Sequence, residues 1–346
     1  MGEPTTANKH FSPRASLAAM DLKLQELKLI ESITQAVKIP QMKVKFTPAE
    51  KLYDAFITIL AGARGLNEST TRLRSDEALQ RAFGRTACAE YSVIQDTLDA
   101  CTPENVIQMK QVVATIFQQQ SQAAKHDYHT TLQLLDVDMS GLPCGPKAEL
   151  SKKGYFSKDG IRYGRQLGRV IASHYEEIVV DDLFAGNVQL SVALRSMVVA
   201  AEEVLELDFA RRPRTIIRMD SGGGSLDDVN WLLDRGYQLH CKDVSSKRAE
   251  AWATTVIEWF ADPNHLQREM GWVVPLDTPD YVRPVMRLAI RWPKRNQHYY
   301  CKWLGRSQLL GVGCAFSTPW WFDNVVTGYG HDDFYYKVGR LKVFSA

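Results

Sequence analysis

The chain has no C-x-x-C pair, no long apolar run and almost no imbalance of charge. Its 42 basic and 40 acidic residues leave a formal charge of only +2 over 346 residues. Six cysteines, Cys88, Cys101, Cys144, Cys241, Cys301 and Cys314, are scattered along it. That spacing excludes a disulfide framework or a zinc ribbon and fits free thiols in a reducing cytoplasm. A membrane span needs roughly 20 apolar residues. The best candidate, Ala55 to Ala61, is short and stops at Gly62, so the chain is not expected to enter a membrane. Near-zero net charge neither demands nor excludes a polyanionic partner, and local clustering has to decide that question. One further absence gains meaning below: no glutamate follows Glu269.

What is present, 45% hydrophobic residues in a chain of this length, is enough to bury more than one core. Residues 1–45 are a polar leader followed by leucines at 22, 24, 27 and 29 that fit no single period. Thr47-Pro48-Ala49-Glu50 is a capping box with proline at the first helical position, and Leu52, Ala55, Phe56, Ile59 and Leu60 follow at helical spacing. Further helices are expected from Ser75 to a stop at Gly84, from a second box at Ser92 and Gln95, and from Thr102-Pro103-Glu104 along a stripe of Val106, Met109, Val113, Ile116 and Phe117. Residues 46–127 therefore read as a helical domain, serving DNA binding or dimerisation. Its tandem short helices fit a helical bundle better than a DNA-reading pair, because no recognition helix rich in Arg, Asn or Gln appears.

From about residue 130 the pattern turns to strands, at 130–139, 166–180 and 215–219, with an amphipathic helix through Leu194, Met197, Val198, Ala201 and Leu205. A helix capped by Ser225, a strand at 237–241 and a helix carrying Trp252, Val256, Trp259 and Phe260 follow. Strands followed by alternating helix and strand predict a mixed α/β sheet over 128–270. Residues 271–346 read as a β-rich segment with an irregular tail.

Two apolar strands end in aspartate. Asp136-Val137-Asp138-Met139-Ser140 closes the first, and Ile216-Ile217-Arg218-Met219-Asp220 closes the other, ahead of Ser221 and three glycines. Carboxylates at strand ends can hold hard cations through oxygen while water completes the shell. Each motif alone also fits an ordinary strand-to-turn junction. If the strands are neighbours, Asp138 and Asp220 converge on one metal site, and two-metal phosphoryl transfer becomes the chemistry such a site performs. After the first site come Lys147, Lys152, Lys153, Lys158, Arg162, Arg165 and Arg169 against only Glu149 and Asp159, with Tyr155, Phe156 and Tyr163 interleaved. That excess suits a phosphate track, and a solvated basic loop is the plainer alternative. His126 and His129 have the spacing of a metal pair but lack further ligands nearby, so a structural role is expected.

Taken together, FTPAEKLYDAFITILAGARGLNESTTRLRSDEALQRAFG, LQLLDVDMSGLPCG, KKGYFSKDGIRYGRQLG with HYEEIVVDDLFAGN, and RTIIRMDSGGGSLDDVNWLL resemble bacterial insertion-sequence transposases of the DDE type over roughly residues 40–290. The resemblance implies an RNase H-like mixed sheet with an N-terminal helical domain and a partial β-rich insertion. It also implies Mg²⁺- or Mn²⁺-dependent cleavage and joining of DNA at terminal inverted repeats, self-association, and a place beside the nucleoid. By position, Asp138 matches the first catalytic, metal-binding aspartate and Asp220 the second, with Lys147, Lys152, Lys153, Arg162, Arg165 and Arg169 as the DNA-binding set. The family's third carboxylate is a glutamate after the insertion, in a Y-x-x-R-x-x-x-E setting. This chain departs there, which suggests a gene truncated or shifted in frame, with Glu250 or Glu258 as lesser substitutes. Two alternatives stand beside this reading. One is a catalytically defective remnant that only binds DNA. The other is a haloacid dehalogenase-type phosphatase in which Asp136 is the nucleophile and Asp138 the acid/base.

Overall fold

The structure, a computed structural model, describes residues 11–41, 45–156, 160–242, 245–262, 265–274, 280–291 and 299–305. Lys158, Cys314 and nearly all of the irregular tail lie outside the described residues. The chain divides into two compact units, with the boundary between Gln120 and Ser121.

The first unit is helical. α1 (Leu17–Glu26) and α2 (Leu29–Ala36) occupy the stretch whose leucines fit no period. Lys28, at φ 49°, breaks the helix between them and resets the face, so one periodicity cannot describe both. α3 (Pro48–Leu60) starts on the expected capping box. Glu50 N donates to Thr47 Oγ1 at 3.2 Å and Thr47 N donates to Glu50 Oε2 at 2.7 Å. α4 (Glu77–Ala82) is capped by Asp76 rather than Ser75, and α5 (Tyr91–Asp99) begins after Glu90, which places Ser92 inside the helix. α6 (Pro103–Gln120) starts as expected, yet its buried residues are Asn105 and Val112, while Val106 and Val113 are exposed. Of the predicted stripe, Val106 and Val113 are turned to solvent, while Met109, Ile116 and Phe117 are half-buried. Ile57, Leu73, Leu79 and Phe83 make one core cluster of this unit.

The second unit is built on a ten-stranded sheet. β1 (Gln133–Pro143), β2 (Lys152–Phe156), β3 (Gly160–Ala172) and β4 (Glu177–Ala185) are antiparallel neighbours, with β1 and β4 on opposite edges of β3. β2 extends β3 past the end of β4, pairing with residues 160–164. At that junction three glycines are pressed together, and a Cβ at Gly186 would overlap the carbonyl oxygens of Gly164 and Lys152. α7 (Leu190–Leu205) then crosses over, and β5 (Thr215–Met219) lies parallel to β1. α8 (Leu226–Asp234), capped by the Ser225 hydroxyl, leads to β6 (Gln238–Lys242), parallel to β5. β5 is buried along its whole length, as a strand covered on both faces must be.

α9 (Ser246–Ala253) ends before Val256 and Trp259, sooner than the helical pattern suggested. The β-branched run Thr254 to Ile257 is poorly suited to a helix, and the Thr254 and Thr255 hydroxyls bond back to the carbonyls of Ala251 and Trp252. β7 (Phe260–Asp262), β8 (His265–Trp272), β9 (Val285–Arg291) and β10 (Tyr299–Gly305) continue the sheet antiparallel, and β10 pairs with β6. No described helix is long and apolar enough to cross a membrane, and the four cysteines with described side chains are free thiols.

Candidate functional site

The register of β1 against β5 pairs Asp136 with Arg218 and Val137 with Met219. The parallel ladder ends there, and Asp138 and Asp220 are the next residue on each chain segment, so with neighbouring strands about 4.8 Å apart two sequence-distant aspartates stand just past its last rung. β1 runs on to Pro143 in its pairing with β3, so Asp138 lies inside the strand and not at its end as the sequence suggested. Side chains alternate along a strand, which fixes the face they occupy. Gly168 of β3 packs against Met197 of α7, and Gly223 lies where Met219 meets Leu190 of α7. Asp138 therefore projects from the face opposite α7, whereas Asp220 follows the end of β5, with its carboxylate beside Gly222 and near Leu190, the first residue of α7.

The neighbouring strands extend this row of residues both ways. Arg169 of β3 is the cross-strand partner of Asp138, and Asp181 of β4 is the next partner beyond it. On the other side, Met219 pairs with Cys241, and Asp220 and Lys242 are the next residue on each segment. Burial pushes the half-buried Lys242 ammonium below the usual lysine range, and the charge of Asp220 opposes that shift. The order Arg169, Asp138, Asp220, Lys242 thus sets two carboxylates side by side between two cations. Asp138 and Asp220 are both half-buried and open enough to meet a ligand. Asp220 Oδ1 accepts the Gly222 N–H at 2.7 Å, and a Cβ at Gly222 would crowd that oxygen at 2.9 Å, so glycine is what fits there.

Two residues back on the same face the chemistry is different. Arg218 Nε and Nη2 donate to Asp136 Oδ1 and Oδ2 at 2.5 and 2.6 Å, and the Ser173 hydroxyl also bonds to Asp136 Oδ2. Asp136 and Arg218 are each only 5% exposed. A phosphatase nucleophile must present a carboxylate oxygen to its substrate, and this clamped, buried Asp136 does not. The phosphatase alternative therefore fails on geometry.

The basic residues separate by face. Arg165 and Arg169 share the aspartate face of β3, and Lys153 joins them through its pairing with Tyr163. Lys152 and Arg162 occupy the opposite face, while Lys147 precedes β2 in a loop. Phe156, counted among the interleaved aromatics, is buried against Gly141 and Gly164 and takes no part in a surface track. The Arg169 Nε is buried without a hydrogen-bond partner. This division by face followed from strand alternation, a signal present in the sequence once β2 and β3 are recognised as a ribbon.

Among the described residues no three His, Cys, Asp or Glu side chains cluster as a metal site. Glu250 on α9 and Glu258 beyond it are exposed and join no such group. His126 is buried, with its Nδ1 2.6 Å from the Tyr175 hydroxyl and its Nε2 3.3 Å from the Thr131 carbonyl. Burial lowers its pKa. Both ring nitrogens are thus engaged in the fold, which fits the structural role expected of it.

No family model matches the chain, and no curated protein matches its sequence. Among solved structures it is similar to a piggyBac transposase synaptic complex with hairpin DNA, with a TM-score of 0.47 at 13% identity over 89% of this chain and 66% of that one. It is similar also to a pre-cleavage Mos1 transpososome, with a TM-score of 0.22 at 9% identity over 66% of this chain and 78% of that one. The chain therefore spans just under two thirds of the piggyBac chain.

Proposed function

We propose that the chain is a DNA transposase of the RNase H-like, DDE class, cutting at the inverted repeats of a bacterial insertion sequence and joining the ends to target DNA. The observation that carries this reading is that Asp138 and Asp220 both stand just past the last rung shared by the parallel neighbours β1 and β5. An antiparallel meander feeding two parallel strands accords with the fold that the resemblance implies. Self-association and a place beside the nucleoid belong to the same proposal.

Two such carboxylates offer only oxygen donors, which suits Mg²⁺ or Mn²⁺ with water completing the shell. When bound, such ions stabilise the charge that develops at a phosphate undergoing in-line displacement. The chain's own residues set the stage for that chemistry. The Gly222 N–H orients Asp220, Arg169 and Lys242 flank the pair, and Arg165 and Lys153 offer positive charge to the DNA backbone beyond it.

Nicking of DNA that carries the flanking inverted repeats, with Mg²⁺ or Mn²⁺, tests the reading. The parent should cleave, and Asp138→Ala and Asp220→Ala should each abolish cleavage. A second reading, DNA binding without cleavage, is favoured by the lack of a third clustered carboxylate among the described residues. Specific binding by a parent that does not cut would establish it in place of the first.

A further inference from the structure

The aspartate face does not end at the aspartates. Along β3 the same alternation carries it from Arg169 through Leu167, Arg165 and Tyr163 to Ile161. At the far end β2 supplies the cross-strand partners, Lys153 opposite Tyr163 and Tyr155 opposite Ile161. Tyr155 is 71% exposed and Ile161 79% exposed, an unusual setting for a paired aromatic and β-branched residue. The Lys153 ammonium lies 5.5 Å from the centre of the Tyr163 ring. Beyond the Arg169 row, no acidic residue falls on this face of β1 to β4. The surface is a two-stranded ribbon with cations on its flank and an exposed apolar pair near its far end.

We infer that the exposed pair Tyr155 and Ile161, on the aspartate face of the β2–β3 ribbon, is a wedge that enters duplex DNA and bends it, while Lys153 and Arg165 hold the flanking phosphates. The inference rests on the reading of Asp138 and Asp220 as the DNA-processing pair. A DNA groove admits a two-stranded ribbon, and apolar side chains inserted between base steps kink a duplex. At about 3.4 Å per residue, the run from Arg169 to Ile161 covers about 27 Å.

Binding of the full chain to a short mixed-sequence duplex, read by fluorescence polarisation, and bending, read by energy transfer between end labels, test the inference without requiring cleavage. Both positions are exposed, so Tyr155→Ala/Ile161→Ala should fold normally. The double variant should bind about tenfold more weakly, the scale of losing a stacked aromatic, and should no longer bend the duplex. Asp227→Asn, at an exposed position on α8 outside this face, should bind and bend like the parent. A double variant that binds and bends like the parent would overturn the wedge, as would a preference for single strands without bending. So would loss of self-association in place of loss of bending, since the pair would then be an interface between copies of this chain. A parent that bends DNA but does not nick it removes the cleavage reading and keeps the wedge, whereas a parent that binds no duplex removes both.

Discussion

Two adjacent rows of the same sheet treat an aspartate in opposite ways. Asp136 faces Arg218 across the β1–β5 ladder, and both of its oxygens are held by partners from the fold. Asp138, two residues further, stands with Asp220 just past the last rung of that ladder. The helical unit repeats the first pattern. Asp54, fully buried, accepts from Arg85 Nε at 2.9 Å and from the Ala89 N–H at 2.8 Å, and Arg85 also donates to Glu50 at 3.0 Å. The difference teaches that the D-V-D run inside β1 holds one carboxylate clamped by the fold and one placed beside a second aspartate-bearing segment. Which is which depends on the residue opposite.

The sharpest way to break this comparison is Arg218→Ala. Removing one partner of a buried ion pair strands the other charge, and a loss of about 3–5 kcal/mol is expected. Chemical denaturation checks it, and an unchanged midpoint would place Asp136 outside the structural core. Ser173→Ala should cost less, about 1.5 kcal/mol, because it removes one hydrogen bond to a charged group. The same denaturation series would show it.

Acid sensitivity sharpens the helical half of the comparison. Burial opposes the charge on Glu50, but the Thr47 backbone N–H, the Arg85 guanidinium and the Thr47 hydroxyl outweigh it and hold the carboxyl at about 2 instead of 4.5. With its folded value depressed, Glu50 contributes stability above its unfolded value, and that contribution is lost as pH falls toward 2. Glu50→Gln, which removes the titrating group and leaves Arg85 on Asp54, should therefore flatten the decline in helical stability below pH 4.5, measured by circular dichroism along an acid titration. The smallest effect on stability belongs to Asp138→Asn and Asp220→Asn. Each removes a charge that stands between a like charge and a cation at a half-exposed site, so thermal unfolding should report a change below about 1 kcal/mol.

Much of the sheet was legible because its strands and caps obey local rules. The Thr47 and Ser225 caps, the strand at 215–219 and the α7 stripe depend on nearest neighbours in sequence, and they appear where expected. The misses have long-range or conformational causes. The left-handed Lys28 scrambled the leucine period of α1 and α2, and the Thr hydroxyls ended α9 early. α6 buries Asn105 and Val112 rather than its apolar stripe, which no periodicity announces. For the site, Asp220 follows the end of β5 as the sequence suggested, but Asp138 sits inside β1, because the strand's pairing with β3 carries it on to Pro143. Their meeting required the parallel pairing of β1 and β5, and the Arg218 clamp on Asp136 required the register itself. The sorting of Lys152 and Arg162 away from Lys153, Arg165 and Arg169 likewise depended on knowing which strands pair.

The most direct test of the central claim is calorimetric titration of the DNA-free protein with Mn²⁺, because cation binding requires no knowledge of the DNA sequence. The parent should bind, and Asp138→Asn and Asp220→Asn should each lose the binding. Asp227→Asn, an exposed control on α8 outside this row, should retain it. A parent that binds no Mn²⁺, or aspartate variants that bind as the parent does, would contradict the assignment of Asp138 and Asp220 as a metal-holding pair.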